Sequence, residues 1–411
     1  MADQKGSRLS TASLLSQEKG TVVIDIGRVY TKIGVAGEAA PRHIIRSVTI
    51  LKPHGQKVDV WSEQLSEQEE LYSVLCRFVQ SLFLKYLVLN PKDYRVVVVE
   101  SFICSESFRN TLAKVLFQHL CVTLAVFMPS HLLCLFTVGR QSALIMDIGF
   151  KETTVLPVYE GIPVVVGWQS SSSAAEALQS SLKQLLLQNG KVKTISTGES
   201  KRFDSITVEG LDAILEDILV RTCFVRPFEC DKDRTPPSVE YPLNKEYILT
   251  IDGHIRDHVT EVLFDGLNGN PLQNCILESL IKCPIDTRRQ LAENIIVVGG
   301  CASLQGLKHR LKSQMDYLLV QNGFHSLRTL TYKFHNPPIH ENSVAWLGGS
   351  IFGSSDVAIS ERGLTREKYK ELGALPDWTS RDPQRREQRK PVSGRKALPL
   401  TPAPVAGTAE T

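Results

Sequence analysis

Two apolar runs in this chain end the same way. Thr21 to Gly27 reads TVVIDIG and Ala143 to Gly149 reads ALIMDIG, each a branched stretch closed by Asp-Ile-Gly. Unbroken apolar, β-branched positions predict strands covered on both faces. A glycine after the acid permits a tight turn whose backbone N–H groups can face an anion. A further run leads away from each turn, Lys32–Ala36 and Thr153–Val158, so the pattern predicts two β-hairpins with a carboxylate at each turn. Two facing carboxylates suit a nucleotide phosphate tail and its Mg²⁺, a cation that takes oxygen ligands or carboxylate-held water. One such stretch alone is an ordinary buried strand ending in Asp; its recurrence marks an internal duplication.

The rest of the chain alternates strand and helix signals. Ile44–Leu51 reads as one strand, and Ser66-Glu67-Gln68-Glu69 as a capping box. Leu71, Val74, Leu75, Phe78, Val79 and Leu82 then repeat at helical spacing. Tyr94–Glu100 is a central parallel strand, Phe108–Leu120 a helix, Val122–Phe127 a strand and Pro129–Val138 a helix leading to Asp147. In the second half, Thr153–Trp168 is strand with turns, and Ala174–Leu187 and Leu211–Val225 are helices. Gln188–Ser205, rich in Gly, Lys and Ser, reads as flexible. Glu246–Ile251 is a strand, Ile276–Lys282 a helix, and Asn294–Val298 a buried strand that ends in Gly299-Gly300 before a helix over Ser303–Met315. Ala345–Phe352 is an apolar helix with close-packed glycines. The pattern is α/β throughout.

Composition narrows the class. The chain has 411 residues, enough for two or more cores, with 42% hydrophobic and 22% charged residues. A formal charge of +3 gives no basis for nucleic-acid binding. The nine cysteines are scattered without a CxxC pair, which predicts reduced thiols instead of a disulfide or zinc framework. Residues 1–20 are polar, without an apolar signal core. The most apolar window, Leu120–Val138, is broken by Pro129, Ser130 and His131, so no membrane insertion is expected. After Trp378 the chain is basic and proline-rich and reads as a disordered tail.

Few other residues carry chemistry. His254 and His258 stand i, i+4 but lack the glutamate of an HExxH motif and a third ligand, so they read as surface histidines. There is no GxSxG, no GxxxxGK[ST] and no Cys/His nucleophile arrangement. The two Asp-x-Gly hairpins and Gly299-Gly300 remain.

With those hairpins stand NPKDYR (Asn90–Arg95), CPIDTRRQLAENIIVVGG (Cys283–Gly300), WLGGSIFGS (Trp346–Ser354) and the region around Tyr369. From Thr21 to Trp378 the chain resembles the actin family. The resemblance implies an actin-like fold of two duplicated, ribonuclease-H-like domains around a nucleotide cleft. It divides the chain into a flexible N-terminus (1–20), a first domain (21–150), a second domain (151–345), C-terminal helices returning to the first domain (346–378) and the tail (379–411). It implies nucleotide contacts from Asp25, Gly27, Arg28, Lys32, Asp147, Gly149, Gly299 and Gly300. Asp25 and Asp147 would hold Mg²⁺ when ATP or ADP is bound, and no metal site independent of nucleotide is expected. It also implies a filament interface of Phe136, Gly139, Gly161, Ile162 and Phe352. The shortened first half, the run SLIKCPIDTRRQLAEN and the passage from VAWLGGSIFG to LPDW most resemble the actin-related branch that serves at the pointed end of dynactin. That branch implies filament and pointed-end-complex partners, an indirect link to dynein and cargo adaptors, and a cytoplasmic, microtubule-associated location.

The departures from the family pattern bear on activity. Arg28 and Val29 stand where Ser and Gly are expected, and Phe150 replaces an Asp. Ser130 replaces the glutamine that orients the attacking water, and Thr154 a helping histidine. Leu219 and Val220 replace a Lys and Glu near the adenosine, and Asn342 another basic contact. A complete cradle and a positioned water are what hydrolysis needs, so no useful ATPase is expected. Two states of the cleft stay open: nucleotide bound and not hydrolysed, or an empty cleft with Arg28 paired to Asp147. Between Ser47 and Glu100 the chain is shorter than actin by roughly twenty residues, beyond ordinary loop variation, which implies a truncated pointed-end subdomain and no homopolymer. An ATP-hydrolysing actin-like protein is the competing reading.

Overall fold

A computed structural model describes residues 19–376, apart from 52–54, 64, 66, 230–234, 268 and 322. The described residues up to Ala374 form one compact unit. The N-terminal 18 residues and the basic tail lie outside the described residues.

The chain opens with β1 (Thr21–Ile26), β2 (Tyr30–Val35) and β3 (His43–Arg46), followed by a ribbon of β4 (Val48–Leu51) and β5 (Gln56–Asp59). The single strand expected over Ile44–Leu51 is thus two strands, because the chain bends at Ser47. That residue is buried, donates its backbone N–H to the Val29 carbonyl and its hydroxyl to the Gly27 carbonyl at 2.7 Å. Between β3 and the first helix, the ribbon is the only sheet structure among the described residues.

Helix α1 (Gln68–Ser81) buries Leu71, Val74, Leu75, Phe78 and Val79, an i, i+3, i+4, i+7, i+8 stripe on one face. Its N-cap is Glu67, with no side-chain cap bond. Ser66, the residue expected to cap it, lies outside the described residues. Strand β6 (Arg95–Glu100) pairs parallel with β1, α2 (Glu106–Lys114) runs on into a wider π-helical turn to His119, and β7 (Leu124–Pro129) leads directly into α3 (Ser130–Val138).

The second half begins with β8 (Ala143–Ile148), β9 (Thr153–Tyr159), β10 (Ile162–Pro163) and β11 (Gln169–Ser171), then α4 (Ala175–Asn189). Gln188–Ser205, expected to be flexible, instead contains β12 (Lys191–Thr194) and β13 (Ser200–Arg202). Lys191 and Lys193 point to solvent while Val192 is fully buried. A polar composition therefore conceals a one-sided antiparallel strand. Next come α5 (Leu211–Thr222), β14 (Val239–Pro242), β15 (Tyr247–Ile251), α6 (Gly253–His258), α7 (Leu272–Lys282), α8 (Ile285–Ala292), β16 (Ile295–Val298), α9 (Leu307–Gln321) and β17 (Phe334–His335). The chain closes with α10 (Val344–Gly353), α11 (Asp356–Arg362), β18 (Leu364–Thr365) and α12 (Arg366–Leu372).

Two six-stranded sheets result. One has the order β18-β7-β6-β1-β2-β3; the other runs β10-β9-β8-β16-β17, with β11 also on β9. In both, a central strand ending in Asp-Ile-Gly has an antiparallel hairpin partner on one side and a parallel strand on the other: β1 lies between β2 and β6, and β8 between β9 and β16. The smaller sheet β13-β12-β15-β14 belongs to the second half. Helix α10 returns to the first sheet: the Trp346 indole N–H donates to the Val23 carbonyl at 3.2 Å, and Trp346 and Phe352 pack with Val23, Val97 and Leu133. Among the described residues no helix is long and apolar enough to cross a membrane, and the eight described cysteines are free thiols.

Candidate functional site

The two acid turns have the same local construction. Gly27 donates its N–H to the Tyr30 carbonyl and Gly149 to the Glu152 carbonyl, each at 3.1 Å. A Cβ on Gly27 would stand 2.6 Å from the Tyr30 oxygen, so a side chain there would break the turn. Asp25 is the cross-strand partner of Lys32, and Asp147 occupies the same place opposite Thr154. The Lys32 Nζ bonds Asp25 Oδ2 at 2.9 Å, both side chains being largely buried.

Asp147 has no ion-pair partner among the described residues. Burial, and secondarily the charge of Asp25, push its carboxyl up to about 6, with Lys32 pulling the other way. The same two aspartates lie close enough to the buried Cys134 thiol to raise it further than burial alone does. Gly299 completes this corner. It sits at φ +99, where a Cβ would meet the Ile148 carbonyl at 2.3 Å and Asp147 Oδ1 at 2.6 Å. Only glycine allows the backbone to pass the carboxylate so closely. Gly300 faces open space.

The expected site residues Asp25, Gly27, Lys32, Asp147, Gly149 and Gly299 are therefore brought together, while Arg28 is not. Its guanidinium turns to the Trp61 carbonyl, and the Trp61 indole N–H in turn donates to the Gly27 carbonyl at 3.0 Å. The charge pair of Arg28 with Asp147, expected for an empty cleft, does not form; Trp61, stacked on Phe108 with ring centroids 3.9 Å apart, captures the arginine first. Nor is Val29 strained: among the described residues only Val88, Cys121 and Glu160 are non-glycines at positive φ.

The positions for which the resemblance implies a water-orienting pair are sealed. Ser130 Oγ and Thr154 Oγ1 flank the imidazole of His131, at 3.3 Å from Nδ1 and 3.2 Å from Nε2. All three residues are buried, and desolvation lowers the His131 pKa to about 4, which keeps the ring neutral. His131 was legible only as a polar residue inside the run LAVFMPSHLLCLF. Leu219 turns into the second core, Val220 faces solvent, and Asn342 accepts from the Ser343 hydroxyl at 3.1 Å. His254 and His258 are exposed and stacked with ring centroids 4.8 Å apart. No group of three or more His, Cys, Asp or Glu suited to a metal occurs among the described residues.

The donor set accordingly fits the phosphate end of a Mg-nucleotide in part. Asp147 is a carboxylate without a cation, and Lys32 is a buried cation with donors to spare beyond Asp25. The ion would be held through phosphate oxygens and water.

A second feature lies at the end of α3. Phe136 is 46% and Ile162 51% exposed, and the turns at Gly139 (φ +61) and Gly161 (φ +72) meet where the Gly161 N–H donates to the Gln141 carbonyl at 2.8 Å. Val165, Val166 and Ile351 are exposed as well. Phe352, expected in this interface, is only 3% exposed. The helical period of α10 turns Ile351 outward and Phe352 into the core, where its ring meets Phe136 edge-on with centroids 6.0 Å apart.

Sequence comparison agrees with this architecture. The actin family profile matches residues 16–378, and the chain belongs to the actin family. It is similar to actin-related protein 10 of Dictyostelium discoideum, with 28% identity covering 88% of this chain and 89% of that one. It also matches actin-related protein 4 of Arabidopsis thaliana, with 24% identity covering 87% of this chain and 97% of the relative.

Proposed function

We propose that this actin-related protein is a non-catalytic subunit that joins the end of an actin-like filament by one face and closes it to further growth, as the pointed-end subunit of dynactin. The observation that carries the reading is a contrast between two regions. One presents Phe136, Ile162 and Ile351 to solvent; in the other, the described residues between β3 and α1 form only a two-stranded ribbon. Each exposed apolar side chain that a neighbour covers contributes on the order of 1.5–3 kcal/mol before ordering costs. A subunit with that face and only a small ribbon elsewhere binds one neighbour and offers little to a second.

The partners on this reading are the filament subunits of dynactin and the other members of its pointed-end complex, with dynein and cargo adaptors engaged through them. The location is the cytoplasm, along microtubules. Self-polymerisation is not expected.

The closed set Ser130–His131–Thr154 supports the absence of hydrolysis, because its hydroxyls and ring nitrogens satisfy one another. When ATP or ADP is bound, Asp25, Lys32 and Asp147 would hold its phosphates and Mg²⁺ and Gly299 would pass close to its base or ribose, the Mg²⁺ supplying the positive charge that Asp147 lacks. The Lys32 ammonium, held on Asp25, would offer its remaining donors to the phosphates, and Gly299 keeps the backbone clear of Asp147.

Co-sedimentation with purified actin-like filaments tests the reading. Wild-type protein should pellet with filaments and stay soluble alone, and Ile351→Asp should stay soluble in both cases. Steady ATP turnover by the wild type, at a rate comparable to filamentous actin, would favour the hydrolase reading instead.

A further inference from the structure

Tyr30 and Arg46 are direct register partners across β2 and β3, so their side chains share one face of the first sheet. The Arg46 guanidinium lies over the Tyr30 ring, 5.2 Å from its centroid. Both residues reach the same atom of the second half, Glu216 Oε2. The Tyr30 hydroxyl donates to it at 2.9 Å and Arg46 Nη2 at 3.1 Å. Glu216 is not a loose surface residue. It stands on α5, whose Leu215, Ile218 and Leu219 are anchored in the second core.

A second strap lies over the acid turns. Lys151, in the turn after Asp147, pairs with Glu63. Two residues before Glu63, Trp61 is fixed to the first acid turn through Gly27 and Arg28. Side chains of this chain therefore tie each half to the other on both hairpins.

Two packed halves are ordinarily drawn together when a ligand bridges them. Here side chains already bridge them. We propose that Tyr30–Glu216–Arg46, assisted by Lys151–Glu63, is a built-in clasp that holds the cleft closed without nucleotide. The clasp gives the subunit one fixed shape for docking, whatever the nucleotide supply.

The contributions are unequal. Glu63 is 82% exposed, and the exposed Lys151–Glu63 pair adds little. The Tyr30 hydroxyl donating to a carboxylate is the stronger element, since a hydrogen bond to a charged group outweighs a neutral one. Burial and Glu216 both keep the Tyr30 hydroxyl protonated at any ordinary pH.

The test is amide hydrogen exchange on the full chain, purified without nucleotide, with and without Mg-ADP as probe. The wild type should be protected over residues 27–31 and 43–47, with less than about a twofold change on adding Mg-ADP. Glu216→Ala should exchange roughly three- to tenfold faster there, the scale of one ordinary hydrogen bond lost at a partly exposed carboxylate. Tyr30→Phe, which removes one oxygen and no packing, should give the larger share of that change. The swap Arg46→Glu with Glu216→Arg should restore much of the protection. Wild-type rates in Glu216→Ala and Tyr30→Phe would overturn the proposal, as would a tenfold gain of wild-type protection on adding Mg-ADP. Should Glu216→Ala fail to fold, Tyr30→Phe alone decides.

Discussion

Asp25 and Asp147 end equivalent strands of the two halves, and only one of them has a cation: Lys32 sits on Asp25, while Asp147 is held up to about 6 by burial and by the charge of its counterpart. The asymmetry has consequences for stability. A carboxyl whose folded pKa lies above its unfolded value of 3.8 binds more protons in the native state, so its ionisation weakens the fold as pH rises from about 4 to about 6. Asp147→Asn should therefore stabilise the nucleotide-free protein at pH 7 by roughly 1–3 kcal/mol. At pH 4 the gain should vanish. Thermal melts across that range check both points.

His131 acts in the opposite sense over nearly the same window. Its folded pKa of about 4 lies below the unfolded value of 6.5, so its contribution is intact above 6.5 and is lost as pH falls towards 4. The two slopes offset each other in the wild type. His131→Gln should remove the acid loss and leave a protein whose stability rises as pH falls from 6 to 4. Urea midpoints at pH 7, 5.5 and 4.5 measure the slope, and an unchanged slope would contradict the assignment.

Gly299 and Gly300 are adjacent but should respond differently to alanine. Gly299 combines φ +99 with a blocked Cβ position, so Gly299→Ala should cost about 2 kcal/mol or more through strain and the push on Asp147. Gly300 has open space at its Cβ and no left-handed requirement. Gly300→Ala should shift stability by no more than about 0.5 kcal/mol, as denaturant unfolding of the two variants would establish.

Variants at Phe352 and Ile351 should separate packing from binding. Phe352→Ala should destabilise by roughly 3–5 kcal/mol, because it empties a site between the first sheet and Phe136. Ile351→Asp should leave the melting temperature nearly unchanged and remove filament binding. A calorimetric scan of both variants separates the two roles.

What was legible in the sequence was short in range. The runs into Asp25 and Asp147 announced strands and turns because almost every position before the acid is apolar and a glycine follows it. The stripe of α1 and the glycines of α10 were legible for the same reason. What was hidden depended on distant partners. Trp61 reaches Gly27 and Arg28, and Glu216 reaches Tyr30 and Arg46, across separations that no local pattern encodes. Strand β12 was hidden because its single buried position, Val192, lies between two lysines that only its pairing with β13 and β15 orients. The inward turn of Phe352 was a matter of helical phase: in an apolar run such as VAWLGGSIFG the period leaves no mark, and the packing on Val23 and Val97 decides which side faces the core.

The central claim, one-sided attachment, is tested most directly by watching the two ends of single actin-like filaments grow with this protein present. The account predicts that pointed ends stop elongating at protein concentrations that leave barbed-end growth at its normal rate. It also predicts that Ile351→Asp abolishes the arrest. Continued growth at the pointed end, or equal arrest at both ends, would contradict it.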